Sequence, residues 1–210
     1  ITGVNTARHL VVANDTTIYG SYCGEYLTTG DENTLIGSHQ GENINGGNRN
    51  TLVGAKNGNS LNSGNNNIMV GVSSATSIVD GNENTIVGNF SGNSIVNSSR
   101  NTVVGSNNAD ILDGDDNISI GYNTFNGSSS GARNVVMGNE AALTSSASNA
   151  VVIGYGAGNT NIADEFVSIG FQSGAMNSGA HNSIIGAYAS GNSSATKTGS
   201  GNTIYGYQAG

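Results

Sequence analysis

The chain has 210 residues, with 33 Gly and no Pro, 35% hydrophobic and 10% charged residues, a net charge of −8 and a pI of about 4.5. Six Lys and Arg in all cannot supply the basic face that nucleic acid requires, and no apolar run reaches the ~18 residues of a membrane-spanning helix. So much Gly with so little charge does not suit one compact core, regular apolar positions argue against disorder, and the single Cys23 excludes an internal disulfide framework or a Cys-based zinc site.

Residues 1–15 read as a lead-in from a preceding region, and 16–210 as a single repeat domain, a fragment of a longer fibrous protein. The first predicted strand, TTIYG, ends at Gly20. NTLIG ends at Gly37, NTLVG at Gly54, NIMVG at Gly71, NTIVG at Gly88 and NTVVG at Gly105. NISIG follows at Gly121, NVVMG at Gly138, AVVIG at Gly154, FVSIG at Gly170, NSIIG at Gly186 and NTIYG at Gly206. The glycines are spaced by five steps of 17, then 16, 17, 16, 16, 16 and 20 residues. A fixed period over a whole chain marks a repeat architecture. Each repeat is predicted to run strand, tight turn, strand, tight turn, so the fold class is all-β: a parallel β-roll or solenoid of about twelve coils of 16–17 residues.

Aligned on the motif Gly, the columns acquire separate roles. The residue before Gly is apolar throughout, from Tyr19 and Ile36 to Ile185 and Tyr205, and two positions earlier stands a Thr-rich column that includes Thr17, Thr34, Thr51, Thr85, Thr102 and Thr203. Strand alternation puts these two columns on one face and the residue between them on the other. That middle column is also mostly apolar, with Leu35, Leu52, Met69, Ile86, Val103, Val136, Val152 and Ile184. A strand apolar on both faces is buried on both. One face fills the coil and the other needs a partner, for which a second copy is the simplest choice. The Thr column is expected inside, and the middle residues in a core or subunit interface. A second apolar column, Leu27, Ile44, Leu61, Ile78, Ile95 and Leu112, lies seven residues after Gly. The Asn at the strand start is expected to form a stacked amide ladder bonded to the next coil and to turn backbone. The mixed column before it alternates in sign from Glu83 through Arg100 and Asp116 to Arg133, which favours one register.

Chemistry has few footholds. His9, His39 and His181 lie far apart, and the paired carboxylates at 31–32, 115–116 and 164–165 recur with the scaffold. DGDDN offers Asp113, Asp115 and Asp116 as turn oxygens for calcium, without the nonapeptides of calcium-binding β-rolls; no other cofactor is indicated. The position after Gly turns aromatic at Tyr122, Tyr155, Phe171 and Tyr207, which suits packing at a turn or interface, or an exposed strip that stacks on sugar rings. The long last step, 192–201, carries the isolated Lys197, and a loop on a rigid scaffold is a place for recognition.

The N-T-x-[IV]-G motif, with SIGFQSGA at 168–175 and TIYGYQAG at 203–210, resembles the repeats of phage tail fibres processed by a C-terminal chaperone domain, and the heads of trimeric autotransporter adhesins. Adhesin heads use a shorter repeat, so the tail-fibre group is the better match. The resemblance implies a left-handed β-roll assembled as a homotrimer, a location on a virion tail fibre or bacterial surface, and no catalytic residue. The expected function is a non-enzymatic extracellular fibre segment that meets a host cell-surface glycan or protein receptor. An adhesin head is the alternative; an ice-binding solenoid, suggested by the Thr column, and a polysaccharide-degrading tailspike are remoter ones.

Overall fold

The computed structural model describes residues 1–109, 114–125, 131–142, 147–159, 163–175, 177–190 and 198–210. It divides into two compact units, Ile1–Val104 and Gly105–Gly210. In the first, β1 (Thr17–Ser21), β2 (Thr34–Ser38), β3 (Thr51–Ala55), β4 (Ile68–Val72), β5 (Thr85–Val87) and β6 (Thr102–Val104) pair in parallel in sequence order. In the second, β7 (Ile118–Ile120), β8 (Val135–Met137), β9 (Val151–Ile153), β10 (Val167–Ile169), β11 (Ser183–Ile185) and β12 (Thr203–Tyr205) do the same. Each residue lies opposite its counterpart one coil on, as Leu35 does opposite Leu52. No helix occurs among the described residues, and the fold is the all-β parallel solenoid that the period predicts.

In the first unit the expected second side of the coil forms no sheet strand, only an isolated parallel bridge between Val12 and Thr29. That side is tied from coil to coil by backbone bonds, among them Asn45 N–H to Asn62 O (3.0 Å), Asn62 N–H to Val79 O (2.9 Å) and Val79 N–H to Val96 O (2.8 Å). Residues 1–15 are bonded onto the first motif coil, as by Thr2 N–H to Ile18 O (2.9 Å) and Ala7 N–H to Cys23 O (3.0 Å). Thr2 bridges Tyr19 in parallel, and the φ of Gly3, 146°, lies in the 126–148° range of the motif glycines that follow. They form a coil of the same kind.

The coil of residues 33–49 shows how the sequence closes on itself. Asn33, Leu35, Gln40, Gly41, Ile44 and Gly47 point inward and are buried, whereas Thr34 and Ile36 point outward and are partly exposed. The middle column is thus the interior: Leu35, Leu52, Met69, Ile86, Val103, Val136, Val152 and Ile184 are all fully buried within the single chain. They are core residues and not a face offered to a partner, and the Thr column, expected inside, lies outside. Each buried Leu, Ile or Val contributes about 1.5–3 kcal/mol. Where the middle residue shrinks to Ser119 or Ser168, a buried Phe125 or Phe166 occupies the same coil, which conserves interior volume. The Ser168 hydroxyl then donates to Ser173 O at 2.8 Å.

Three positions per coil adopt left-handed backbone with φ near 50–60°, and most are filled by residues other than Gly: Tyr22, His39 and Lys56 in one column, Glu32, Arg49 and Glu83 in another, Ala75 and Ala109 in the third. These bends turn the chain inward at each corner, and the sheet and its ladders hold them in a conformation an isolated residue disfavours.

Two polar ladders run through the coils. Asn50 N–H and Nδ2 donate to Asn33 Oδ1 (3.0 and 3.2 Å), and Asn50 Nδ2 also donates to Gly64 O (2.8 Å). Asn67 and Asn84 repeat this pattern, as does Asn134 on Asn117. The predicted amide ladder is present, interrupted at Ala150 and Phe166, where the sequence lacks Asn. A second ladder was not foreseen. Its bonds run the other way, from Asp31 N–H to Asn48 Oδ1 (2.8 Å), Asn48 N–H to Asn65 Oδ1 (2.9 Å) and Asn65 N–H to Asn82 Oδ1 (2.9 Å).

Candidate functional site

In the second unit, the column after the motif Gly carries Tyr122, Tyr155, Phe171 and Tyr207, all exposed. A side chain directed outward at the corner where the strand ends has no interior to enter, so successive rings meet along the stack. Tyr155 and Phe171 lie nearly parallel, with centroids 5.4 Å apart and planes 12° apart. The row then continues through a residue that the column did not include. Tyr188, in the neighbouring left-handed column, meets Phe171 edge-on at 5.1 Å and 68°, and Tyr207 at 6.2 Å and 83°. Its φ of 56° turns the side chain toward the row. Reading one column at a time could not find it, because its neighbours in its own column are Gln172 and Gln208.

Tyr122 is not part of the row. Asn139 holds the intervening place and accepts the Tyr122 backbone N–H on its Oδ1 at 3.0 Å. Lys197, like most of the long last loop, lies outside the described residues. A hydrogen bond to Glu140, reinforced by its negative charge, holds the Tyr155 phenol proton above its ordinary range.

Several of the remaining candidates make contacts within the scaffold. Asp31 accepts the backbone and side-chain amides of Asn14 (2.8 and 3.0 Å), and Asp164 accepts the Ser148 N–H (2.7 Å). Glu165 pairs with His181 at 3.2 Å. His9 stacks on Tyr26 and His39 on Tyr22. Of the calcium candidates, Asp113 lies outside the described residues, and Asp116 stands at a left-handed turn position after Asp115. Among the described residues no group of three His, Cys, Asp or Glu is placed to hold a metal ion. In the mixed-charge column, Arg49 Nε donates to Asn66 Oδ1 (2.7 Å) and Arg133 Nε to Asn149 Oδ1 (2.8 Å).

Cys23 is fully buried, and burial pushes its thiol up from the ordinary range. It occupies the column of Asn57, Ser74 and Thr124, whose side chains bond the motif Gly carbonyl of the next coil; its Sγ lies 3.4 Å from Gly37 O. Cys23→Ser should therefore fold with a stability change of about 1 kcal/mol or less, read as a thermal midpoint. In the native chain Cys23 should resist iodoacetamide until denaturant is added.

No protein family, curated protein or solved structure matches the chain.

Proposed function

We propose that the chain is a non-enzymatic segment of an extracellular attachment fibre, assembled as a homotrimer and built to present its outer corners to a host surface. A phage tail fibre is preferred over a bacterial adhesin head, on the repeat length and the resemblance of the motif. The carrying observation is the outward face of the motif sheet. In the second unit it consists of Ile118, Ile120, Val135, Met137, Val151, Ile153, Val167, Ile169, Ser183, Ile185, Thr203 and Tyr205, apolar at every position but Ser183 and Thr203, and Ile118, Met137, Ile185 and Tyr205 are exposed in the single chain. A continuous apolar strip of this kind marks an interaction face. A regular strip on a regular solenoid is best matched by another copy of itself, and three copies leave no apolar sheet face in water. The subunit contact therefore falls on the columns either side of the middle residue.

Ile169→Asp tests this. It places a charge on the outer face and removes nothing from the interior, so it should turn a trimer into folded monomers in sedimentation velocity at micromolar concentration, with an unchanged circular dichroism spectrum. Val152→Asp, buried inside the coil, should lose the folded spectrum instead. A wild-type chain that sediments as a stable monomer would refute the assembly.

One observation favours a second reading. Thr17, Thr34, Thr51, Thr85 and Thr102 face outward in the first unit, an array of the kind that orders water. Ile68 interrupts it, and a face toward ice would need the sheet unpaired. Absence of thermal hysteresis removes this reading.

A further inference from the structure

We propose that Tyr188 and Tyr207 form an oxidative modification site, where one-electron oxidants join the two rings into a dityrosine that staples the coil of Tyr207 to the coil before it. The inference goes beyond the attachment reading and depends on neither its receptor nor its assembly. Of the five ring contacts among the described residues, this is the one between two phenols, with centroids 6.2 Å and planes 83° apart. Tyr22 and Tyr26 lie against His39 and His9. Tyr155 and Tyr188 each lie against Phe171, which has no hydroxyl and yields no phenoxyl radical. Three backbone bonds hold the two tyrosines on adjacent coils: Gly206 N–H to Ile185 O (2.9 Å), Gln208 N–H to Ala187 O (3.0 Å) and Ser190 N–H to Ala209 O (2.8 Å). Tyr207 is exposed to an oxidant in solution, and Tyr188 beside it is half-buried rather than enclosed.

The chemistry balances without any group from the chain beyond the two rings. Each phenol gives up one electron and one proton to become a phenoxyl radical, whose unpaired spin lies partly on the carbons ortho to oxygen. Two such radicals couple there, forming one C–C bond, and the two ortho hydrogens pass to the oxygens to restore both phenols. The sum is a loss of two electrons and two protons, which hydrogen peroxide takes up as two molecules of water when a haem peroxidase mediates the one-electron steps. Radicals one coil apart on a fixed scaffold meet at an effective concentration far above that of separate chains in dilute solution, so coupling within the chain outruns coupling between chains. A disulfide cannot serve this purpose, because the one cysteine is buried and free. The staple closes a loop from residue 188 to residue 207, across the longest step of the repeat, and a closed loop restricts the unfolded chain as a disulfide does.

The test treats the whole folded chain with hydrogen peroxide and a haem peroxidase, and in parallel with persulfate and a small photosensitiser that reaches phenols too recessed for an enzyme. Dityrosine fluorescence should appear with at least one oxidant, in a chain that still runs as one polypeptide on a denaturing gel and is lighter by two hydrogens. Trypsin cuts the denatured chain after Arg133 and Lys197, which parts Tyr188 from Tyr207. Peptides 134–197 and 198–210 should therefore be recovered as one species, linked through those two residues by fragmentation mass spectrometry. Tyr188→Phe and Tyr207→Phe keep the rings and the fold, read by circular dichroism, and each should abolish the linked species; Tyr155→Phe should retain it. The stapled chain should also melt at a higher temperature than the untreated one. No link with either oxidant, persistence of the link in Tyr188→Phe or Tyr207→Phe, or a link through Tyr155 or Tyr205 instead would overturn the proposal. So would links formed only between chains.

Discussion

Gly54→Ala is expected to unfold the first unit, whereas Gly58→Ala, four residues on, should leave it folded. Gly54 has φ of +126°, in a region open essentially to Gly, and a Cβ there would lie 2.9 Å from the carbonyl carbon of Gly71 and closer still to its oxygen. Both obstructing atoms belong to the backbone of the neighbouring coil, which is fixed by the sheet, so nothing can rotate away. Strain and clash together should cost about 4 kcal/mol or more, comparable with the whole stability of a small unit. Gly58 is also left-handed, at φ +56°, but its Cβ would meet the ends of Met69 and Leu52, which can shift. Natural coils place Ala75 and Ala109 in that column, so the cost should be about 1 kcal/mol. Urea melts of the two variants followed by circular dichroism check the pair. Equal stability would mean that the coils do not approach as closely as the Gly column requires.

Asn67→Ala is the second large effect expected. The side chain donates to Gly81 O (2.8 Å) and Asn50 Oδ1 (3.1 Å), and its own oxygen accepts the Asn84 N–H (3.0 Å) and Asn84 Nδ2 (3.1 Å). The site is fully buried, so truncation strands groups on three coils at once, each costing about 1–3 kcal/mol when left without water. A total of about 3–5 kcal/mol follows if a water enters to satisfy part of them. Asn67→Asp probes the donors alone: it keeps the oxygens, loses the bond to Gly81 O, and should become less destabilising as the pH falls and the carboxyl regains a proton. Denaturant midpoints at two pH values would show this. A loss of less than ~1 kcal/mol in Asn67→Ala would mean that the ladder is incidental to stability.

The solenoid and the place of every motif strand were legible in the sequence because the period and the Gly column are one-dimensional facts. Which side of the strand faces in was not. Alternation separates Leu35 from Thr34 and Ile36, but all three columns carry apolar residues, so composition alone does not orient the strand. The orientation is set at the corners, where His39, Arg49 and their counterparts take left-handed backbone. Nothing in a His or an Arg announces that conformation, since the usual signal for it is Gly or Asn. Tyr188 was not legible either: its column mixes Tyr22, His39, Lys56, Ser73, Phe90, Asn107, Asn123, Glu140, Gly156, Gln172 and Gln208, and only the fold shows that this column touches the aromatic one.

The Asn latch has a practical consequence. Asn67 closes its coil on the carbonyl of Gly81, 14 residues on, Asn134 on that of Ala147, 13 residues on, and Asn182 on that of Gly199, 17 residues on. The bond is kept while the segment it spans changes length, so a coil can take extra residues between its latch partners. Foreign peptides grafted there should be displayed without disturbing the register on either side, and unrelated payloads can be mounted on one chassis.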